Sequence, residues 1–288
     1  MDPIFLLIQV LNGVQYGLLL FLIASGLTLV FGIMGVINLA HGSFYMLGAY
    51  VALSFTQYTG NLFLAVLLGL PLAVVVGYLF ERLLIVHLYD RDHLYQVLLT
   101  FGVILIVNEV QSLVWGNDPH GVPVPALLSA SVPLTDTLSY PVYRLFVAGL
   151  CLLLAVALML VIQRTRLGMM IRAGQSNREM VAALGINVKQ LYAIVFAAGF
   201  TLAALAGMFA APIESVYPGM GEKVLIVSFV VVVIGGLGSV KGAFLGALLI
   251  GLATVFGQAF LPALASVMVY AVMAAILLWR PSGLFGRA

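Results

Sequence analysis

Charge is scarce in this chain: Lys, Arg, Asp and Glu supply 8% of 288 residues and hydrophobic types 64%, where a soluble domain carries about a quarter charged. That excludes a water-soluble fold. There is one cysteine, Cys151, within the apolar run AGLCLLLAVALML, so an intrachain disulfide and a cysteine-held metal are both excluded. It reads as a buried structural thiol. A net charge of +2 leaves no basic surface to argue for nucleic acid. The first Lys or Arg is Arg82, so the opening MDPIFLLIQV lacks the basic region and the cleavage site of a signal peptide, and a retained span is expected there.

Catalytic chemistry is equally thin. His87, His93 and His120 stand at no ligand spacing, and no nucleophile, base and acid form a set, so neither a catalytic nor a metal site is expected. The glycine-rich stretch GGLGSVKGAF from Gly235 lacks the Gly-Lys-Ser/Thr ending of a phosphate loop, and Lys241 occupies the third glycine's place in G-x-G-x-x-G. No nucleotide site is encoded there. Acids within the apolar runs are sparse: Glu109 in VNEVQSLVW is read as the one acid well inside a span, and Glu214 follows Pro212 at another expected end. This weakens an ion-coupled carrier, though sodium sites built from backbone carbonyls need no acid.

What the chain does have is apolar length. With a mean hydropathy of +1.20, runs of about 20 residues, enough to cross about 30 Å of hydrocarbon, recur near 4–26, 36–57, 62–86, 94–115, 141–163, 191–211, 224–237, 243–260 and 264–280. The expected fold is an all-α integral membrane protein, a polytopic bundle of eight or nine segments, some broken or re-entrant, forming one domain over 1–288. Residues 164–190 hold Arg164, Arg166, Arg172, Arg178 and Lys189 against Glu179, whereas 116–140 hold Asp118 and Asp136 with no Lys or Arg. The positive-inside rule then places the first connection in the cytoplasm, the N-terminus outside and the C-terminus inside. Arg82 with Arg91, and Arg280 with Arg287, fit the same alternation, and Trp115, Trp279, Tyr89, Tyr95, Tyr140, Tyr143 and Tyr217 stand at expected membrane interfaces.

Polar residues inside an apolar chain need a reason. The stretch VINLAHGSFYMLGAY sets Asn38, His41 and Ser43 beside Gly42. Unsatisfied amides at membrane depth cost several kcal/mol, so a broken helix there must be covered by protein or face a wet cavity. Asn38, His41, Gly42 and Ser43 are therefore expected on a transport pathway, with Asn38, Ser43 and freed amides as candidates to meet a polar cargo. A weak internal repeat relates Gly35–Asn38 and His41–Phe44 to Gly236–Ser239 and Gly242–Phe244, which adds Gly238 and Ser239 to the expected pathway. Gly242, Gly246 and Gly251 read instead as close helix packing.

The basic connection reads RTRLGMMIRAGQSNREMVAALGINVKQLY. Ser176 and Glu179 form a Ser-x-x-Glu capping box, and Gly185 stands where helices end on a left-handed residue, so a two-turn helix over 177–184 is expected. Met180, Val181 and Leu184 would share one face. From Glu179 to Gly185 the loop resembles the Glu-Ala-Ala-x-x-x-Gly loop of ABC importer permeases, with Met180 and Val181 in place of the two alanines. GLTLVFGIMGVINLAHGSFYMLGAY, TRLGMMIRA, GGLGSVKGAFLGALLIG and WRPSGLFG extend the resemblance along nearly the whole chain to branched-chain amino acid ABC permeases, the shorter, LivH-type subunit.

The resemblance implies an importer of branched-chain or related hydrophobic amino acids in the bacterial plasma (inner) membrane. It implies a second permease subunit, two cytoplasmic ATPases that bind the ATP and Mg, an extracytoplasmic binding protein, and no cofactor on this chain. It assigns Arg172, Ser176, Glu179, Ala183 and Gly185 to ATPase coupling. The alternative is a self-sufficient channel or an ion-coupled secondary transporter for small polar solutes such as amides or urea.

Overall fold

The computed structural model describes residues 3–89, 91–135 and 138–286; Asp136 and Arg287, used above for orientation, lie outside it. The described helices run α1 Pro3–Met34, α2 His41–Thr59, α3 Leu62–Leu83, α4 His93–Trp115, α5 Val142–Arg164, α6 Arg166–Ser176, α7 Arg178–Ala183, α8 Val188–Ala210, α9 Met220–Gly235, α10 Val240–Phe260 and α11 Ala265–Trp279. A small antiparallel hairpin, β1 Ser131–Pro133 and β2 Ser139–Pro141, sets Val132 opposite Tyr140. Seven helical stretches are long and apolar enough to cross a membrane: α1, α3, α4, α5, α8, α10 and α11. The 19-residue α2 and the 16-residue α9 complete the set of long apolar helices. The first helix runs on to Met34 rather than stopping near 26, because nothing in LTLVFGIM breaks it before Gly35, whose φ of +62° suits glycine.

The bundle is built around α1. Its apolar stretch is 89% buried, that of α8 83%, and that of α11 only 6%. On the peripheral helices Leu67, Leu113, Leu153 and Leu278 are exposed, as lipid-facing side chains are. Lipid tails are as apolar as leucine, so burial does not drive helices together in a bilayer; close van der Waals packing of small residues does. A Cβ on Gly26 of α1 would meet the Gly199 carbonyl oxygen of α8 at 2.6 Å. Gly242 lies on the Gly235 carbonyl of α9, and Gly251 on Gly13 and Gly17 of α1, the packing role expected for both.

One end of the bundle carries the basic connection, and there the expected capping box is corrected. Ser176 is the last residue of α6, whose start is capped by Thr165 accepting from the Gly168 N–H at 3.1 Å. The cap of α7 is Asn177, whose Oδ1 accepts from the Met180 N–H at 2.9 Å. Asparagine caps as well as serine, and RLGMMIRAGQS holds no proline, so α6 keeps Ser176 for its final turn. The other end of α7 is as expected. Gly185 has φ +84°, its N–H donates to the Ala182 carbonyl, and the Ile186 N–H reaches back to Val181, the paired bonds of a Schellman ending. Val181 is buried while Met180 and Leu184 are exposed, so these three do not share a face. Asn177→Ala is expected to remove about 1 kcal/mol from this short helix, seen as faster amide exchange confined to residues 178–184.

Candidate functional site

Two cavities open at opposite ends of α1. The one at the basic end has a volume of about 710 Å³ and is lined by Gly32, Arg172, Gln175, Gly238, Ser239 and Lys241, among others. The one at the far end has about 680 Å³ and lies among α1, the α8–α9 turn, α9, α10 and α11. Its polar wall includes Asn12, Gln15, Arg144, Glu214, Tyr217 and Lys223, and its lining reaches Ile23 and Tyr45. On α1 the far cavity reaches Ile23 and the basic one begins at Leu29; on α9 the corresponding residues are Val227 and Val233. At 1.5 Å per residue each interval is about 9 Å of helix. Leu27 and Thr28 of α1 and Val230 and Val231 of α9 are buried within it. Buried side chains thus separate the two cavities along both helices.

The break between α1 and α2 spans residues 35–40 and is covered by protein. Asn38, His41 and Ser43 are all buried, and none of them lines either cavity. Amides freed by the break find side chains: the Ile37 N–H donates to Gln96 Oε1 at 3.2 Å, the Leu39 N–H to Thr100 Oγ1 at 3.3 Å, and the Ala40 N–H to Asn38 Oδ1 at 3.0 Å. His41 Nε2 lies 2.9 Å from the Ile23 carbonyl; a carbonyl only accepts, so Nε2 carries the proton. His41 thus ties the break to Ile23 of the far cavity, one hydrogen bond away from it. Gly42 lies against the Gly221 carbonyl of α9, where a Cβ would stand 2.1 Å from the oxygen.

The other expected residues divide. Gly238 and Ser239 share the basic cavity with Arg172, and Ser239 Oγ accepts from the Gly242 N–H at 3.1 Å to cap α10. The Arg172 guanidinium donates to the Ile162 carbonyl. Ser176, Glu179, Ala183 and Gly185 are exposed on and around α7, outside both cavities.

Sequence reasoning missed Arg144, Lys223 and Gln15. A signal was available for the first two: they are cations toward the end that the positive-inside rule leaves poor in Lys and Arg. It also passed over Glu81, a buried acid near the end of α3 that accepts from the Tyr89 hydroxyl and lies 3.7 Å from Arg82 Nε.

A family model described as the branched-chain amino acid transport system permease component matches residues 9–277. The chain belongs to this family. The permease is 32% identical to the high-affinity branched-chain amino acid transport system permease protein BraD of Pseudomonas aeruginosa, over 97% of this chain and 95% of that one. It is 30% identical to the permease protein LivH of the corresponding Escherichia coli K12 system, over 99% and 96%. It also matches LivM of the same organism at 28%, over 91% of this chain and 67% of LivM. No solved structure matches it. The LivH-type resemblance drawn from the sequence motifs is therefore borne out, and the permease is a multi-pass membrane protein.

Proposed function

We propose that the permease is one membrane subunit of an ATP-driven importer that moves branched-chain or related hydrophobic amino acids inward across the bacterial plasma membrane. The observation that carries this reading is the pair of cavities at opposite ends of α1 and α9, separated by a packed layer, in a chain whose relatives are named as amino-acid transport permeases. A cavity at each end with a closed layer between them suits alternating access.

The basic end faces the cytoplasm in this reading, and α7 offers exposed Met180 and Leu184 there to a cytoplasmic ATPase. The match to both LivH and LivM supports a second, LivM-type permease as the membrane partner. Two ATPases, which bind the ATP and Mg, and an extracytoplasmic binding protein complete the assembly.

The test is reconstitution in liposomes. The permease with its partner permease and ATPases is expected to accumulate labelled L-leucine only with ATP and binding protein, and the permease alone is expected to pass none. Leucine or urea flux through the permease alone would establish the channel or carrier reading instead.

A further inference from the structure

The far cavity carries fixed charges of both signs that do not pair with each other. Glu214, in the α8–α9 turn, lines the cavity with Arg144 at the start of α5 and Lys223 in the first turn of α9. Crowding by protein raises the Glu214 carboxyl's pKa, and Lys223 and Arg144 oppose that rise, so both cations are close enough to act on it. Yet no ion pair within 4.0 Å joins Glu214 to either cation. Arg144 donates to Asn12 Oδ1 at 2.7 Å, a bond that occupies one of its five N–H donors.

Two further features mark the same cavity. Gln15, only 4% exposed, lines it, and its Nε2 has no hydrogen-bond partner. An unpaired buried amide is costly, so Gln15 Nε2 is a donor that the cavity offers to an acceptor. The second feature is the start of α9 at Gly219, where no side chain caps the first turn. Its first turn carries the positive end of the helix dipole; the Met220 N–H donates to the Tyr217 carbonyl, and Glu222 accepts from the Asn108 amide of α4 while its other oxygen lies close to Gly219. Below these groups the lining turns apolar, with Leu19, Ile23 and Val227.

We propose that the far cavity is a subsite that reads both charged ends of an α-amino acid: Arg144 and Lys223, beside the start of α9, take the carboxylate, and Glu214 takes the ammonium. The aliphatic side chain lies against Ile23 and Val227. Opposite charges held apart around one cavity are each satisfied by a zwitterion, whereas a singly charged ligand leaves one of them without a partner. This inference rests on the importer reading, and it adds that selection for a zwitterion is repeated within the membrane subunit after delivery of the ligand.

The experiment uses the complete permease–ATPase complex without binding protein. Equilibrium binding of L-leucine, 4-methylpentanoate and 3-methylbutylamine is measured by isothermal titration. The wild-type complex is expected to bind leucine at least tenfold more tightly than either singly charged analogue. Glu214→Gln removes leucine's advantage over 4-methylpentanoate, and Lys223→Gln its advantage over 3-methylbutylamine, whereas Glu214→Asp keeps both. A merely structural role for these charges would weaken all three ligands together, and that result, or unchanged ratios in both variants, overturns the subsite. So does absent leucine binding in a complex that performs ATP-driven leucine uptake once binding protein is added. If uptake is absent while the binding pattern holds, the importer reading fails and the subsite stands.

Discussion

Gly207→Leu is expected to abolish the folded permease. A Cβ at Gly207 of α8 would stand 2.0 Å from the Tyr45 carbonyl oxygen of α2, and one at Gly48 of α2 would stand 2.1 Å from the Ala204 carbonyl oxygen. Both obstacles are backbone inside helices, so no rotamer change relieves them. The two helices would have to separate, which exceeds the cost of about 3 kcal/mol typical of overpacking and consumes much of the roughly 5–15 kcal/mol that holds a folded protein together. Gly102 in α4 has nothing within 4 Å of its Cβ position, so Gly102→Leu is the control. The measurement is monodispersity and melting temperature in detergent. A Gly207→Leu permease that elutes and melts like wild type would refute the close approach of α2 and α8.

The second large effect falls on the ATPase coupling proposed for α7. Leu184→Asp is expected to cut ATP-driven uptake at least tenfold while leaving the isolated permease folded. Leu184 is 73% exposed and Met180 57% exposed, so neither supports the bundle that α7 caps. An apolar anchor at the centre of a docking site is worth about 2 kcal/mol, or about 30-fold in affinity. Gly185→Val acts on the same surface by a different route. A β-branched residue at φ +84° costs at least the 1–2 kcal/mol of the left-handed region, and it displaces the end of α7 with Leu184 on it. Co-purification of the ATPases with each variant, together with uptake in liposomes, checks both. Normal uptake by Leu184→Asp would remove α7 from the docking surface.

Much of the fold was legible because bilayer thickness sets the length of each apolar run. The packing glycines of α10 were legible for the same kind of reason, since G-x-x-x-G has a geometric meaning. Burial was not legible. The stretches of α1 and α11 both read as apolar spans, yet one is the centre of the bundle and the other lies at its periphery, and hydropathy is blind to whether an apolar helix is surrounded by its own chain. The α7 cap was missed by one residue because Ser176 and Asn177 are both good caps, and the choice between them was made by α6 needing its last turn. Asn38 and His41 were expected on a transport pathway at a helix break; the break is there, but what holds it was not legible, because the Ile37 and Leu39 amides donate to Gln96 and Thr100 and His41 bonds the Ile23 carbonyl, all from other parts of the chain. Arg144, Glu214 and Lys223 come from three separate segments, and only tertiary structure brings them around one cavity.

The central position of α1 also bears on how the protein is made. Its neighbours α5, α8, α9 and α10 all follow it in the chain, and its Gly13 and Gly17 close against Leu252, Ala247 and Leu248 of α10. At a synthesis rate of about 5–20 residues per second, roughly ten seconds or more separate α1 from the helix that covers it. Throughout that interval the Gly13 and Gly17 face of α1 is without the helix that closes it. A ribosome that stalls before α10 therefore leaves an inserted helix whose small-residue face has nothing to pack against.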